Sequence, residues 1–162
     1  MITCTFENGN SAPLRHVTVN ALLVKDSKIL LGKRGTFQGR PLDEFGKWAL
    51  IGGFVDRDEN LEQAIRREIQ EECGCEIGTL TLLHIKDNPD RKGEDRQNIE
   101  FVYIAQGLSE PTGSDEEVSR LEWFALDSLP PDDQFAFDHA GELELYKKYL
   151  SQPFPLPFIG KA

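Results

Sequence analysis

Residues 53–75 read GFVDRDENLEQAIRREIQEECGC, and the spacings within this stretch decide how the rest of the chain is understood. Gly53 is followed by Glu59, then by Arg67, Glu68, Glu71 and Glu72, and the run closes on Gly74 and Cys75. The pattern predicts a helix over 61–73 with its acids crowded on one side. Glu68 lies one turn before Glu71 and Glu72, so the three carboxylates can converge. Carboxylates aimed at one spot repel unless a cation stands between them. Hard oxygen donors of this kind suit Mg²⁺ or Mn²⁺, and such ions bind and polarise phosphate chains. The plainer alternative is a solvated acidic face carrying an i,i+4 pair between Arg67 and Glu71. The joint spacing of the acids, the arginine and the glycines argues against it.

The segment resembles the Nudix box, the signature of hydrolases that cleave nucleoside diphosphates linked to another group. The match holds at every charged and glycine position. Cys75 stands where an aliphatic residue is usual, and cysteine behaves as a small buried hydrophobe. Many relatives carry proline before the paired glycines. Ile51 stands there in this chain, which alters the stiffness of the turn but no ligand.

The resemblance implies an α/β fold, with a mixed β-sheet sandwiched between α-helices and the box as a loop-helix-loop, over one domain spanning 1–162. It implies metal binding by Glu68, Glu71 and Glu72, with the Gly52 carbonyl as a further ligand. Arg67 becomes the cation whose planar fork holds a box glutamate in place, and Glu59 a supporting acid. The general base comes either from a box glutamate or from an acid on a later loop. Here that loop is 113–118, where Glu116 and Glu117 are the candidates and Glu117 is the one carried forward as catalytic.

Composition bounds the partners. A chain of 162 residues, 39% hydrophobic and 28% charged, is long and apolar enough for one domain with a real core. Its net charge of −10 repels polyanions and so opposes nonspecific binding to nucleic acid or to anionic membranes. It does not oppose a small nucleotide diphosphate substrate whose charge is neutralised locally by metal. Cys4, Cys73 and Cys75 lack zinc spacing and read as free thiols of a reducing, cytoplasmic compartment. No apolar run reaches membrane-spanning length and no secretory signal is expected.

Strands are expected over 16–24, 29–34, 48–51, 80–85, 98–105 and 121–124. Residues 35–47 and 88–97 read as loops, the first lying over the site. Capping residues are present over 56–60, Gly74 marks the helix end, and an amphipathic helix is expected over 138–150. The apolar, proline-patterned tail 153–159 is expected to pack on the body or on a second subunit of a homodimer.

Outside the box the motifs are softer. Residues 17–24, Lys33-Arg34, 46–50, 87–91 and 136–139 resemble the ADP-ribose pyrophosphatase branch. Arg34, Arg91 and Arg96 are the expected contacts to phosphate or ribose. Trp48, with Phe37, Phe45 and Phe101, is a candidate to stack an adenine. The leading expectation is Mg²⁺-dependent cleavage of ADP-ribose to AMP and ribose 5-phosphate. A pyrophosphohydrolase of oxidised nucleoside triphosphates and a non-catalytic nucleotide sensor are the alternatives.

Overall fold

A computed structural model describes residues 2–90 and 97–161 of the chain. Its elements are, in chain order, β1 (Ile2–Thr5), β2 (Ser11–Leu14), β3 (Val17–Lys25), β4 (Lys28–Arg34), β5 (Thr36–Phe37), β6 (Arg40–Pro41), β7 (Trp48–Ala49) and β8 (Ile51–Phe54). Then come α1 (Leu61–Glu72), β9 (Ile77–Lys86), β10 (Ile99–Gly107), β11 (Val118–Ala125), a 3-10 turn at Asp132–Gln134, α2 (His139–Ser151) and β12 (Phe158–Ile159). One eight-stranded sheet runs β11-β4-β3-β10-β9-β12, with β7 added beside β4 and β8 beside β3. The pairs β3–β10 and β9–β12 are parallel, so the sheet is mixed.

Alternation along β3 sorts side chains between the two layers that cover the sheet. Val19, Ala21 and Leu23 pack with Ala64, Ile65 and Ile69 of α1. Leu22 joins Leu143, Leu145 and Tyr146 of α2. Each Val, Leu or Ile side chain among them contributes about 1.5–3 kcal/mol by leaving water. The expected sandwich is therefore the one observed, with α1 on one face and α2 on the other.

Local chemistry fixes both ends of α1. Asn60 Oδ1 accepts from Gln63 N at 2.9 Å, and Gln63 Oε1 accepts from Asn60 N at 2.9 Å, a reciprocal cap. At the far end Gly74 takes φ +61° and donates its N–H to the carbonyls of Ile69 and Gln70. A Cβ there would also sit 2.2 Å from Thr112 Oγ1.

Two expectations are refined. The single strand over 48–51 is two pieces, because the chain changes partner at Leu50: β7 pairs with β4, and β8 pairs with β3. The loop over 35–47 contains the short β5–β6 hairpin. The tail packs on the body. Phe154, Leu156 and Phe158 join the α2-side cluster, and β12 pairs with β9 at His84 and Ile85.

Beneath that tail lies a buried ionic cluster. Glu142 of α2 receives His84 Nδ1 at 2.8 Å and Lys86 Nζ at 3.0 Å, and Lys86 also meets Asp138 at 2.6 Å. His84 Nε2 lies 2.8 Å from the Gly160 carbonyl, so both ring nitrogens face acceptors and the imidazolium suits the site. Burial pulls the His84 pKa down, but Glu142 more than offsets this and holds it above its ordinary value. Burial pushes Glu142 up, and His84 with Lys86 brings it below the ordinary value. The His84 contribution is complete below about pH 6.5 and is lost as pH rises through its raised folded pKa. The Glu142 contribution is complete above about pH 4.3 and is lost as pH falls through its lowered one. Glu142→Gln leaves His84 without its carboxylate and Lys86 with Asp138 alone, and should cost about 3 kcal/mol near pH 5.5. Urea melts of the variant and parent should show this gap narrowing above the folded pKa of His84.

Candidate active site

Gly52 and Gly53, in the middle of the paired strand β8 rather than in the expected turn, and the acid face of α1 form one wall of a cleft of about 340 Å³. Arg67 organises that wall. Its Nε and Nη2 grip both oxygens of Glu59 at 3.1 and 2.7 Å. Its Nη1 donates to Glu68 Oε1 at 2.8 Å and to Glu71 Oε2 at 3.1 Å, and Nη2 also donates to the Phe54 carbonyl at 3.0 Å. One guanidinium thus ties the loop before the helix to two helix acids. Glu59 closes the loop from its side by accepting from Asp56 N at 2.7 Å. Its pKa is lowered chiefly by the hydrogen bond from Arg67, while the Arg67 pKa is raised in return.

Glu72 is buried and accepts from Gly52 N at 2.8 Å. Burial pushes its pKa well above the carboxylate range; the Gly52 N–H opposes this, and repulsion from Glu68, Asp115 and Glu117 adds to it. Glu68 is likewise raised by burial, against the pull of Arg67. Gly53 makes room for Glu68, since a Cβ at Gly53 would lie 2.7 Å from Glu68 Oε1. Glu117 comes from the loop before β11 and lines the same cleft, as does Asp115. Burial and Asp115 raise the Glu117 pKa, and Arg34 lowers it.

Among the described residues no three His, Cys, Asp or Glu side chains stand close enough together to hold a metal ion as placed. Glu68 and Glu71 lean on Arg67 instead. The donor set still has the chemistry of a hard-cation site: Glu68, Glu71, Glu72 and Gly52 line one cavity, and burial disfavours the bare carboxylates of Glu68 and Glu72.

The adjoining wall comes from β3, β10 and the start of α2. Asn20 Nδ2 donates to Glu100 Oε1 at 2.7 Å. His139 lends its Nδ1 to Leu50 N at 3.0 Å, so it holds the backbone where β7 and β8 part. Arg34 lies over the Phe137 ring at 5.0 Å, and its Nε donates to the Asp43 carbonyl at 2.7 Å.

The structure therefore brings Glu68, Glu71, Glu72, Arg67, Gly52, Glu117 and Arg34 to one cleft. Trp48 is placed elsewhere. It is 6% exposed, packed edge-on against Phe124 in the α2-side core, with Lys33 and Arg120 over its ring. Glu116 turns away to accept from Gln38 N at 2.7 Å. Arg91 and Arg96 lie outside the described residues. The sequence reading missed Asn20, Glu100, Asn98, Asp115 and Asp138. The available signal was polar residues, Asn20 and Glu100, at inward positions of otherwise apolar strands.

Known proteins are similar over most of the chain. A NUDIX domain model matches residues 14–146. An ADP-ribose pyrophosphatase of Methanocaldococcus jannaschii is 34% identical over 133 residues, covering 82% of this chain and 73% of that protein. An oxidized purine nucleoside triphosphate hydrolase of Danio rerio is 34% identical over 119 residues, covering 72% of this chain and 70% of that protein. The crystal structure of a UDP-X diphosphatase superposes with a TM-score of 0.74 at 24% identity, covering 96% of this chain and 71% of that one, which speaks for the fold. The family model and these relatives place the chain in the class of hydrolases acting on phosphorus-containing acid anhydrides. This chain belongs to the Nudix hydrolase family. Divalent metal ions are general to that family.

Proposed function

We propose that the protein splits a nucleoside diphosphate linked to a sugar, with ADP-ribose giving AMP and ribose 5-phosphate. The observation that carries the reading is a cleft with two unlike walls. Box acids and Gly52 line one, and Arg34, Phe137 and buried polar groups line the other. The similarity to an ADP-ribose pyrophosphatase supports it. The volume of about 340 Å³ falls within the range of small-molecule sites.

Glu68, Glu71, Glu72 and the Gly52 carbonyl would hold Mg²⁺ or Mn²⁺. When bound, the ion neutralises phosphate oxygens and acidifies water. Arg67 holds Glu68 in register through its grip on Glu59 and the Phe54 carbonyl. Arg34 pairs with the diphosphate. Glu117, whose pKa burial and Asp115 raise above the ordinary value, takes the proton of the attacking water.

Two results test this. Saturating Mg²⁺ should raise the melting temperature by about 5 °C, the linkage expected at a hundredfold excess over Kd for a chain of this size. Absence of both that shift and a metal-dependent rate would overturn the metal assignment. For substrate, kcat/KM on ADP-ribose should exceed that on any deoxynucleoside triphosphate, oxidised or not, under the same metal. A preference for a triphosphate by tenfold or more, about 1.4 kcal/mol of transition-state discrimination, would favour the triphosphate reading instead.

A further inference from the structure

At the inner wall of the cleft two polar atoms are buried without a hydrogen-bond partner among the described residues: Thr18 Oγ1 and Asn98 Oδ1. The two residues are 7% and 8% exposed, and both line the cleft. A buried hydroxyl or amide oxygen left unpaired is destabilising, because it has given up water for nothing in return. Such atoms in a cavity wall are satisfied when a ligand brings the matching groups.

Strand register explains why they act together. β3 and β10 are parallel neighbours, and Thr18 stands opposite Glu100. Asn98 lies two residues before Glu100, so the pleat gives Asn98, Glu100 and Thr18 the same face. Glu100 is engaged by Asn20 and contributes no free edge. The remaining edge is one amide oxygen and one hydroxyl.

A flat surface shares the cavity. Phe137 is 42% exposed and lines the cleft with Arg34 over its ring. It holds φ +53°, a conformation uncommon for a bulky residue and found where the surrounding structure enforces it. An aromatic face beside an amide and a hydroxyl edge matches a planar ligand that stacks by its face and hydrogen-bonds by its rim. A sugar offers hydroxyls but no face. A nucleobase offers both.

We propose that Thr18, Asn98 and Phe137 form the nucleobase subsite, specific for a purine bearing an exocyclic amine. The amine donates to Asn98 Oδ1, the Thr18 hydroxyl donates to a ring nitrogen, and the base stacks on the face of Phe137 that Arg34 leaves uncovered. Asparagine is well matched to adenine, whose amine and ring nitrogen form a donor–acceptor pair. The proposal rests on the nucleotide reading above and adds which wall reads the base.

Calorimetric titration of the full chain with AMP and with purine riboside 5′-monophosphate, both with Mg²⁺, tests it. The second ligand keeps the ring and phosphate but lacks the amine. AMP should bind about tenfold more tightly to the parent, the effect of one unmatched buried acceptor. Asn98→Ala should erase that difference. Thr18→Val, nearly isosteric, should weaken both ligands alike and leave their ratio intact. Equal binding of the two ligands by the parent overturns the subsite, as does a ratio that survives Asn98→Ala. If Asn98→Ala does not fold, a ratio altered by Thr18→Val overturns it too. Failure of ADP-ribose cleavage with the AMP preference intact overturns only the substrate reading.

Discussion

Glu72→Gln should lower turnover by at least about a hundredfold while the folded state stays intact or gains stability. The two halves of this expectation have separate causes. Glu72 is buried beside Glu68, and burial with like charges disfavours its ionised form. Glutamine keeps the shape, and its carbonyl oxygen still accepts from Gly52 N, the bond Glu72 makes at 2.8 Å. The fold therefore loses a desolvated charge and keeps the contact. In the proposed metal site the reaction loses a negative ligand, which an amide oxygen does not replace. Steady-state kinetics and thermal melts on the same preparation check this. Near-normal turnover would show that Glu72 is only a support for the β8 backbone at Gly52.

The neighbouring glycines should fail in different ways when given one methyl group. A Cβ at Gly52 would lie 2.1 Å from the Val19 carbonyl oxygen, and φ there is +147°. The obstacle is backbone of a central strand, so the β3–β8 pairing must open. Gly52→Ala should cost about 3 kcal/mol or more, the upper end of overpacking. At Gly53 the nearest atom is Glu68 Oε1 at 2.7 Å, the end of a side chain. Gly53→Ala should fold nearly as well as the parent but displace Glu68, with turnover reduced by about tenfold or more. Denaturant melts set beside kcat separate the two. Equal loss of stability in both variants would refute the distinction.

The box was legible because its chemistry is local. A capped helix, a terminal glycine and acids one turn apart follow from spacing alone, and the observed helix Leu61–Glu72 ends one residue short of the expected stretch. The resemblance carried the layered architecture of a mixed sheet between helices, which periodicity does not encode; the strand order came from the structure. What escaped was non-local. Asn20 and Glu100 share a wall only through the parallel pairing of β3 with β10. Trp48 drew attention as an aromatic near the box, but its pairing opposite Lys33 and its contact with Phe124 turn the indole into the core. The tail was read as packing on the body or on a partner. Pairing of β12 with β9 accounts for the body contact, and nothing in residues 153–159 alone names that strand.

The hydrogen bond from Asn20 to Glu100 joins residues 80 positions apart, and the acid helix lies on the stretch between them. Contacts of such long range form late, because the entropy of closing the loop is lost before any contact offsets it. A partly folded chain could present the box helix with its reciprocal cap, yet it would have no second wall. Hydrolysis should therefore return during refolding only in the slowest phase that restores β3 beside β10, well after helical signal appears. Enzymatic activity would then serve as a clock for completion of the fold.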